Sequence, residues 1–317
     1  MNTKQANNML ISVVTPCFNV EPFLDTFFGS ILGQSYPHFE LICVDDGSTD
    51  GSYEFLQDRI AARTAQDVEV VLLRNEVNLG NMGNWLRICA AAKGEWLVKA
   101  DGDDASEPNR VEAIARALDG RSDVYVVSSG GVKVNADGRE VGRFKARSAW
   151  HPLGACMTFH RACWEKFPAP KDLRNVDDEI FARRALILGD GAEVRIDVPL
   201  VRYRVGSGIS STVDDIRATE LKCMRMNPRS FAQVREDLEA CGRDVVRWRT
   251  TFDAQEREVA LGIALRTAPT FAQRLAAWRQ LPGRRITTPY GLKLLIYLLP
   301  KKLGDICLKV LSSLRYR

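Results

Sequence analysis

The first hundred residues set short apolar runs, five or six residues long and cut off by polar groups, between stretches whose apolar positions recur every three or four residues. Leu10 to Thr15 is the first run, halted by Pro16; Phe39 to Val44, Val68 to Leu73 and Trp96 to Ala100 follow. Between them Leu24, Phe27, Phe28, Ile31 and Leu32 repeat at helical spacing. Tyr53, Leu56 and Ile60 mark a second helix with Asp50 as its expected cap, and a third is expected from about Trp85 to Lys93. Pro108 opens a fourth, whose Val111, Ile114, Ala115 and Leu118 share one face, before a further strand from Val124 to Ser128. Strand-helix units of this length, repeated, predict an α/β fold: a mostly parallel sheet with helices on both faces.

What ends the runs bears on function, because open α/β sheets bind ligands in the crevice outside the carboxyl ends of their strands. Trp96 to Ala100 runs into Asp101-Gly102-Asp103-Asp104, three carboxylates within four residues. Such a cluster repels itself unless positive charge sits there, and Mg²⁺ or Mn²⁺ favours carboxylate oxygens. An Asp-x-Asp at a strand end therefore suits a metal-assisted diphosphate site. The commoner meaning of a bare Asp-x-Asp is a solvated turn, here with Asp104 or Ser106 capping the next helix. Two other strand ends favour the ligand. Thr15-Pro16-Cys17-Phe18-Asn19 offers an aromatic ring and an amide, and Asp45 can accept the imide N–H of a uracil or thymine ring. Together they fit a nucleoside diphosphate. No Gly-x-Gly-x-x-Gly follows the first strand and no Walker loop is present, which argues against a dinucleotide cofactor.

Eight cysteines, none in a Cys-x-x-Cys pair and most inside apolar runs, are expected as buried free thiols of a reducing compartment. Met1 to Asn8 lacks a signal peptide's apolar stretch, and no run reaches the roughly 18 apolar residues of a membrane span. A cytoplasmic or peripheral protein is expected. The net charge of +4 hides an asymmetry: residues 206–317 hold 20 Lys/Arg against 11 Asp/Glu, leaving −5 for residues 1–205. Beyond Asp214 the pattern is helical, clearest at Leu261 to Leu265, Phe271 to Leu281 and Leu292 to Leu299. From Arg279 to Arg317 nine basic residues face a single acid, Asp305. Basic, apolar helices suit an anionic membrane surface; a helical appendage or dimer partner with a solvated basic face is the equal alternative. Nucleic acid is not expected, since no basic-aromatic stripe accompanies the charge.

Val13-Val14-Thr15-Pro16-Cys17-Phe18-Asn19, Val44 to Gly51, Asn78-Leu79-Gly80 and Asp101-Gly102-Asp103-Asp104 through Pro108 and Arg110 resemble the successive motifs of family 2 glycosyltransferases, an inverting group with a GT-A fold. Asn175-Val176-Asp177-Asp178-Glu179 resembles the family's Glu-Asp catalytic motif with Asp177 in place of Glu, and the likeness fades after about Ser211. The resemblance implies a catalytic domain over residues 1–211 and a helical, basic extension over 212–317. It implies a nucleotide-sugar donor, a UDP-sugar by expectation, and a saccharide or lipid-linked acceptor of cell-surface polysaccharide, lipopolysaccharide or glycolipid. Thr15, Pro16, Phe18, Asp45, Asn78, Asp101 and Gly102 would hold the donor, with Phe18 and Asp45 at the base and Asp101 at the ribose. Asp103 would bind Mn²⁺ or Mg²⁺ and Asp178 would be the general base, Asp177 beside it. Asp177 and Asp178 also read as acids in the first turn of a helix, where the dipole favours them; both readings can hold.

Residues 130–175 suggest a hairpin, with Val132 to Val134, the turn Asn135-Ala136-Asp137-Gly138, and Val141, on the acceptor side. His151, His160, Trp150 and Trp164 receive no role. Two alternatives stay open: a nucleotidyltransferase, disfavoured because Thr15 to Glu21 has neither Gly nor Lys, and a catalytically inactive sugar-nucleotide-binding protein. One departure stands out. Where the family commonly places a metal-binding histidine after the Tyr-Arg-x element, Tyr203-Arg204-Val205 leads to Gly206. Weak Mn²⁺ binding by the free protein is expected, with water or Ser207 filling the vacant position and Gly206→His tightening it unless the backbone needs a positive φ.

Overall fold

The computed structural model describes residues 9–63, 68–173, 177–206, 216–241, 245–282, 294–300, 303–305 and 307–308. The chain divides into two compact units, Met1–Val205 and Gly206–Arg317.

In the first unit β1 (Ile11–Cys17), α1 (Glu21–Leu32), β2 (Phe39–Asp45), α2 (Ser52–Ala61), β3 (Glu69–Arg74), α3 (Gly80–Ala91) and β4 (Trp96–Lys99) alternate as the periodicity requires. After them come β5 (Ala105–Ser106), α4 (Arg110–Leu118), β6 (Val126–Val134), β7 (Glu140–Phe144), β8 (Met157–His160), α5 (Ala162–Glu165), α6 (Asp177–Leu188) and β9 (Val194–Arg204). Among the described residues nine strands form one sheet in the order β3-β2-β1-β4-β8-β6-β9-β5, with β7 paired to β6. The β3-β2-β1-β4 half is parallel throughout. Beyond it β8 enters antiparallel between β4 and β6, so the sheet is mixed where the repeating units predict simple continuation.

Two boundaries differ from the sequence reading for a physical reason. β1 runs through Pro16, which pairs with Val44, because pairing with β4 ends at Val14 and no partner on that side needs the N–H that proline lacks. The apolar run 124–128 and Val132 to Val134 belong to one strand: Gly130 and Gly131 carry β6 across the break in apolar pattern, since a Cβ at Gly131 would stand 2.5 Å from the Val201 carbonyl oxygen. The expected hairpin follows as β6-β7.

The core lies between the sheet and its helices. Leu24, Phe27 and Ile31 of α1 and Val111, Ile114 and Leu118 of α4 pack on Val13, Leu41, Cys43 and Val98. Each of the three α1 residues is at most 1% exposed, and burial of one such side chain contributes about 2 kcal/mol. That fixes α1 against β1 and sets the angle at which the chain leaves the strand. Cys17, Cys43, Cys89, Cys156 and Cys163 are buried free thiols, and burial pushes the Cys43 thiol up to about 12.

The second unit is helical: α7 (Ile216–Cys241), α8 (Val245–Thr267) and α9 (Phe271–Gln280), the last entered through a capping box of Thr270 and Gln273. Leu294, Ile296, Tyr297, Leu298 and Leu308 pack into an apolar cluster with Leu265, Ala277 and Leu281. Side chains that the sequence presents as a membrane-facing set are thus spent on this unit's own core. No described helix is long and apolar enough to cross a membrane.

Candidate active site

The loops after β1 and β2 brace each other at the carboxyl edge of the sheet. Ser48 Oγ accepts the Asn19 N–H (3.0 Å), Ser52 Oγ accepts the Val20 N–H (2.9 Å), and Asn19 Oδ1 accepts the Thr49 N–H (2.9 Å). Asn19 takes a left-handed φ of 53° to do so, a conformation that asparagine tolerates. Gly51, not Asp50, is the N-cap residue of α2; the Asp50 carboxylate takes the N–H groups of Ser52 and Glu21 and so ties the loops together.

Phe18, in the braced loop after β1, is 46% exposed. Thr15 and Asp45 are fully buried, and Thr15 Oγ1 and Asp45 Oδ1 have no hydrogen-bond partner. The other Asp45 oxygen accepts the Ser48 N–H (3.1 Å) and faces Arg74 Nε at 3.5 Å. Arg74, whose guanidinium lies 4.4 Å from the Tyr53 ring centre, therefore covers Asp45. The sequence reading gave Arg74 no role; its signal was its place just past the apolar run Val68 to Leu73. Asn78 is exposed and spends its side-chain oxygen on the Gly80 N–H (3.0 Å). The residue that shapes the Asn78-Leu79-Gly80 loop is buried Asp46, whose carboxylate accepts from Asn75 Nδ2 (2.7 Å), Leu79 N–H (2.8 Å) and Gly80 N–H (2.9 Å).

The acidic loop after β4 answers the question of what holds three carboxylates together: cations built into the fold. Arg204, at the end of β9, donates from Nε to the Asp103 carbonyl (3.0 Å), while its own N–H goes to Asp104 Oδ1 (2.7 Å). Arg204 also donates to the Asn135 and Ala136 carbonyls and lies over the Phe23 ring, so one side chain joins β9, the β6-β7 turn, α1 and the loop. Buried Arg110 holds the carbonyls of Lys99 (2.7 Å) and Ala155 (2.8 Å) and the Ser106 hydroxyl (3.0 Å). Asp104 and Ser106 therefore do not cap α4, whose N-cap residue is Asn109. Burial, with Asp103 and Asp101 adding to it, raises the Asp104 carboxyl well above the ordinary range. Gly102 lies over Val20 and Cys17, so that a Cβ there would meet Val20 Cγ2 at 3.1 Å.

Asp177, Asp178 and Glu179 form the first turn of α6 as the dipole argument predicts. They do not simply face water. Asp177 is 3% exposed and its Oδ2 accepts from Lys99 Nζ at 2.6 Å; the same ammonium is 3.8 Å from Asp101 Oδ1. A Cβ on Gly154, in the single helical turn Gly154–Cys156, would stand 2.9 Å from Lys99 Nζ and 3.1 Å from Asp178 Oδ2, so the two flank one point in space. Burial works to lower the Lys99 pKa, yet Asp101, Asp177 and Asp178 outweigh it and hold the ammonium above the ordinary lysine value. Burial first, then the neighbouring Asp177 carboxylate, pushes Asp178 up to about 7. Lys99 too had no role in the sequence reading; its signal was a lysine inside an otherwise apolar run.

The donor set fits a hard divalent cation held by few protein ligands. Asp103 is partly exposed beside Asp101, and among the described residues no side chain pairs with its carboxylate. No group of three or more His, Cys, Asp or Glu is placed for a metal among the described residues. Gly206 has φ 94°, the positive value that disfavours a histidine there, and Ser207 lies outside the described residues. His160 is no substitute: it packs edge-on against Trp96, at the opposite end of β4, and its Nε2 lies 3.1 Å from Glu95.

A sequence profile described as glycosyl transferase family 2 matches residues 12–180. Among curated relatives, the putative teichuronic acid biosynthesis glycosyltransferase TuaG of Bacillus subtilis is 34% identical over 103 residues, 32% of this chain and 39% of that protein. Abequosyltransferase RfbV of Salmonella typhimurium is 30% identical over 120 residues, 37% of this chain and 35% of its own length. The matches thus span between about a third and two-fifths of those relatives. In structure, S. aureus TarS in complex with UDP-GlcNAc aligns with TM-score 0.55 at 16% identity, over 93% of this chain and 83% of that one. The mannosyltransferase PcManGT from Pyrobaculum calidifontis, in complex with GDP-Man and Mn²⁺, aligns with TM-score 0.56 at 20% identity, over 94% and 86%. These likenesses establish the fold, GT-A with helices at its carboxyl end.

Proposed function

Because the chain belongs to glycosyl transferase family 2, we propose that it moves a sugar from a nucleotide-diphosphate donor to a saccharide or lipid-linked acceptor, with inversion at the anomeric carbon. One observation carries this reading: Lys99 brings the donor-side Asp101 and the α6 carboxylate Asp177 to a single ammonium, with Asp178 next to it in α6 beside Gly154. Inverting transfer needs a base on the face opposite the departing diphosphate, to take the proton of the attacking hydroxyl. Asp178, poised at about 7 and partly exposed, is suited to that step; Asp177 is occupied by Lys99. Asp103 would hold Mn²⁺ or Mg²⁺, which when bound neutralises charge on the leaving diphosphate.

A UDP-sugar is the proposed donor. The unpartnered Asp45 oxygen suits a uracil imide N–H and the exposed Phe18 ring suits stacking, although Arg74 must yield to admit the base. The UDP-GlcNAc in the TarS complex supports that choice, while the GDP-Man in PcManGT makes a purine the competing outcome. Relatives named for teichuronic acid synthesis and abequosyl transfer support an acceptor in cell-surface polysaccharide or lipopolysaccharide. We place the activity on the cytoplasmic side, with the basic 279–317 segment meeting anionic lipid through its charges. Sedimentation with anionic vesicles at low salt tests that last point, and failure to sediment removes it. The donor is tested by thermal shift against UDP-, GDP-, dTDP- and CDP-sugars, since a ligand that binds the native state raises its melting temperature. Stabilisation by GDP-sugars alone would overturn the uridine assignment.

A further inference from the structure

Lys99 is a buried cation for which the family chemistry above supplies no step. Lysine is costly to bury, and this one is 6% exposed with its stem beside Trp85, the ammonium 5.7 Å from the ring centre. It is anchored at both ends of the residue: Arg110 fixes its carbonyl, two carboxylates from separate elements, Asp177 and Asp101, flank its Nζ, and Asp178 acts on it electrostatically. Asp101 comes from the loop after β4, and Asp177 and Asp178 from the start of α6. Gly154 closes the fourth side and leaves no room for a side chain, since a Cβ there would stand within 3.1 Å of both Lys99 and Asp178.

We propose that Lys99 is a positioning residue whose ammonium, held between Asp177 and Asp101 and set with Asp178 around Gly154, ties the donor loop to the base-bearing helix and favours ionised Asp178. This rests on the assignment of Asp178 as base. The charged groups facing Asp178 are Asp177 and Glu179 on its own helix, and Lys99 and Asp101 from the strand side. Asp177 opposes its ionisation and Lys99 favours it, Asp177 being the larger influence of the two. Removing the carboxylate alone leaves the cation to stabilise ionised Asp178; removing both takes that stabilisation away.

The test compares Asp177→Asn with the double variant Asp177→Asn/Lys99→Met, in which neither partner is left charged and buried alone. The readout is the ¹³C carboxyl titration of Asp178 in aspartate-labelled protein, assigned by the signal lost in Asp178→Asn, with cooperative thermal unfolding by circular dichroism as the check that each variant is folded. The proposal expects Asp178 to titrate lower in Asp177→Asn than in the double variant by about one pH unit or more, as a unit charge within a few ångströms produces. It also expects the acid limb of UDP-GlcNAc hydrolysis to follow the same order. Equal titration in the two variants overturns the role of Lys99 even if Asp178→Asn abolishes hydrolysis. Hydrolysis that survives Asp178→Asn while the titrations still differ overturns the base assignment instead, and leaves Lys99 as an organiser of the loop and helix.

Discussion

Lowering the assay pH should silence the enzyme over a range in which an ordinary aspartate would not respond. Asp178 is pushed up to about 7 by burial and by Asp177, so only about a tenth of it is ionised at pH 6 and about nine-tenths at pH 8. As the proposed base, Asp178 works in its ionised form. kcat/KM is therefore expected to fall about tenfold per pH unit below 7 and to level off above 8, and Asp178→Asn to lower it by roughly 10²-fold or more at pH 8. The assay is UDP release from the donor selected by thermal shift, run in overlapping buffers at fixed Mn²⁺, with UDP affinity measured alongside. The same shift has an opposite sign for stability. A carboxyl whose folded pKa lies above its unfolded value contributes stability that is present below the unfolded value, near pH 4, and lost as pH rises through about 7. Asp178→Asn should therefore melt higher than the wild type at pH 8 and no higher at pH 4. The gain should be on the order of 1–2 kcal/mol, well under the full linkage value because the side chain is partly exposed. A flat rate profile from pH 5.5 to 8.5, with Asp178→Asn still impaired, would refute the pKa argument while sparing the residue.

Asp103→Asn should abolish transfer and weaken Mn²⁺-dependent UDP binding; unchanged calorimetric affinity would remove Asp103 as the ligand. Asp46→Ala leaves the Leu79 and Gly80 N–H groups without their carboxylate and should cost about 2–4 kcal/mol in urea unfolding. A loss under 1 kcal/mol would mean that the loop is held elsewhere. Gly206→His should cost about 1–2 kcal/mol because φ is 94°, with Gly206→Asn milder, so tighter Mn²⁺ binding is not expected from the histidine. A histidine variant that melts like the wild type would contradict the strain argument.

The alternating half of the fold was legible because β1 to β4 are parallel, buried or half-buried, and joined by amphipathic helices, so each carries its period in the sequence. β8 and β9 were not, because their partners are distant in sequence: Met157 to His160 has only four residues to declare itself, and Val194 to Arg204 alternates irregularly around Pro199. The start of α3 was placed five residues late, since Gly80-Asn81-Met82-Gly83-Asn84 resembles a loop and becomes helical only through burial of Met82, Gly83 and Asn84 and through Asp46 at its entry. At the site, the carboxylates were visible as strand and helix ends. Lys99, Arg74 and Arg204 were not, because a cation's role depends on which distant acid it meets: Asp177 lies 78 residues from Lys99, and Asp103 lies 101 from Arg204.

Arg204 also sets how much chain is needed to make the donor loop. The loop is finished by hydrogen bonds from the last residue of β9, and β9 is at the same time the parallel neighbour of β6. A polypeptide cut after α6 would contain every carboxylate of the candidate site and still leave the Asp103 carbonyl and Asp104 Oδ1 without their donor and one edge of β6 unpaired. On the ribosome, the loop after β4 thus gains these hydrogen bonds only after α6 has emerged. The proposed base is therefore synthesised before the proposed donor loop is finished.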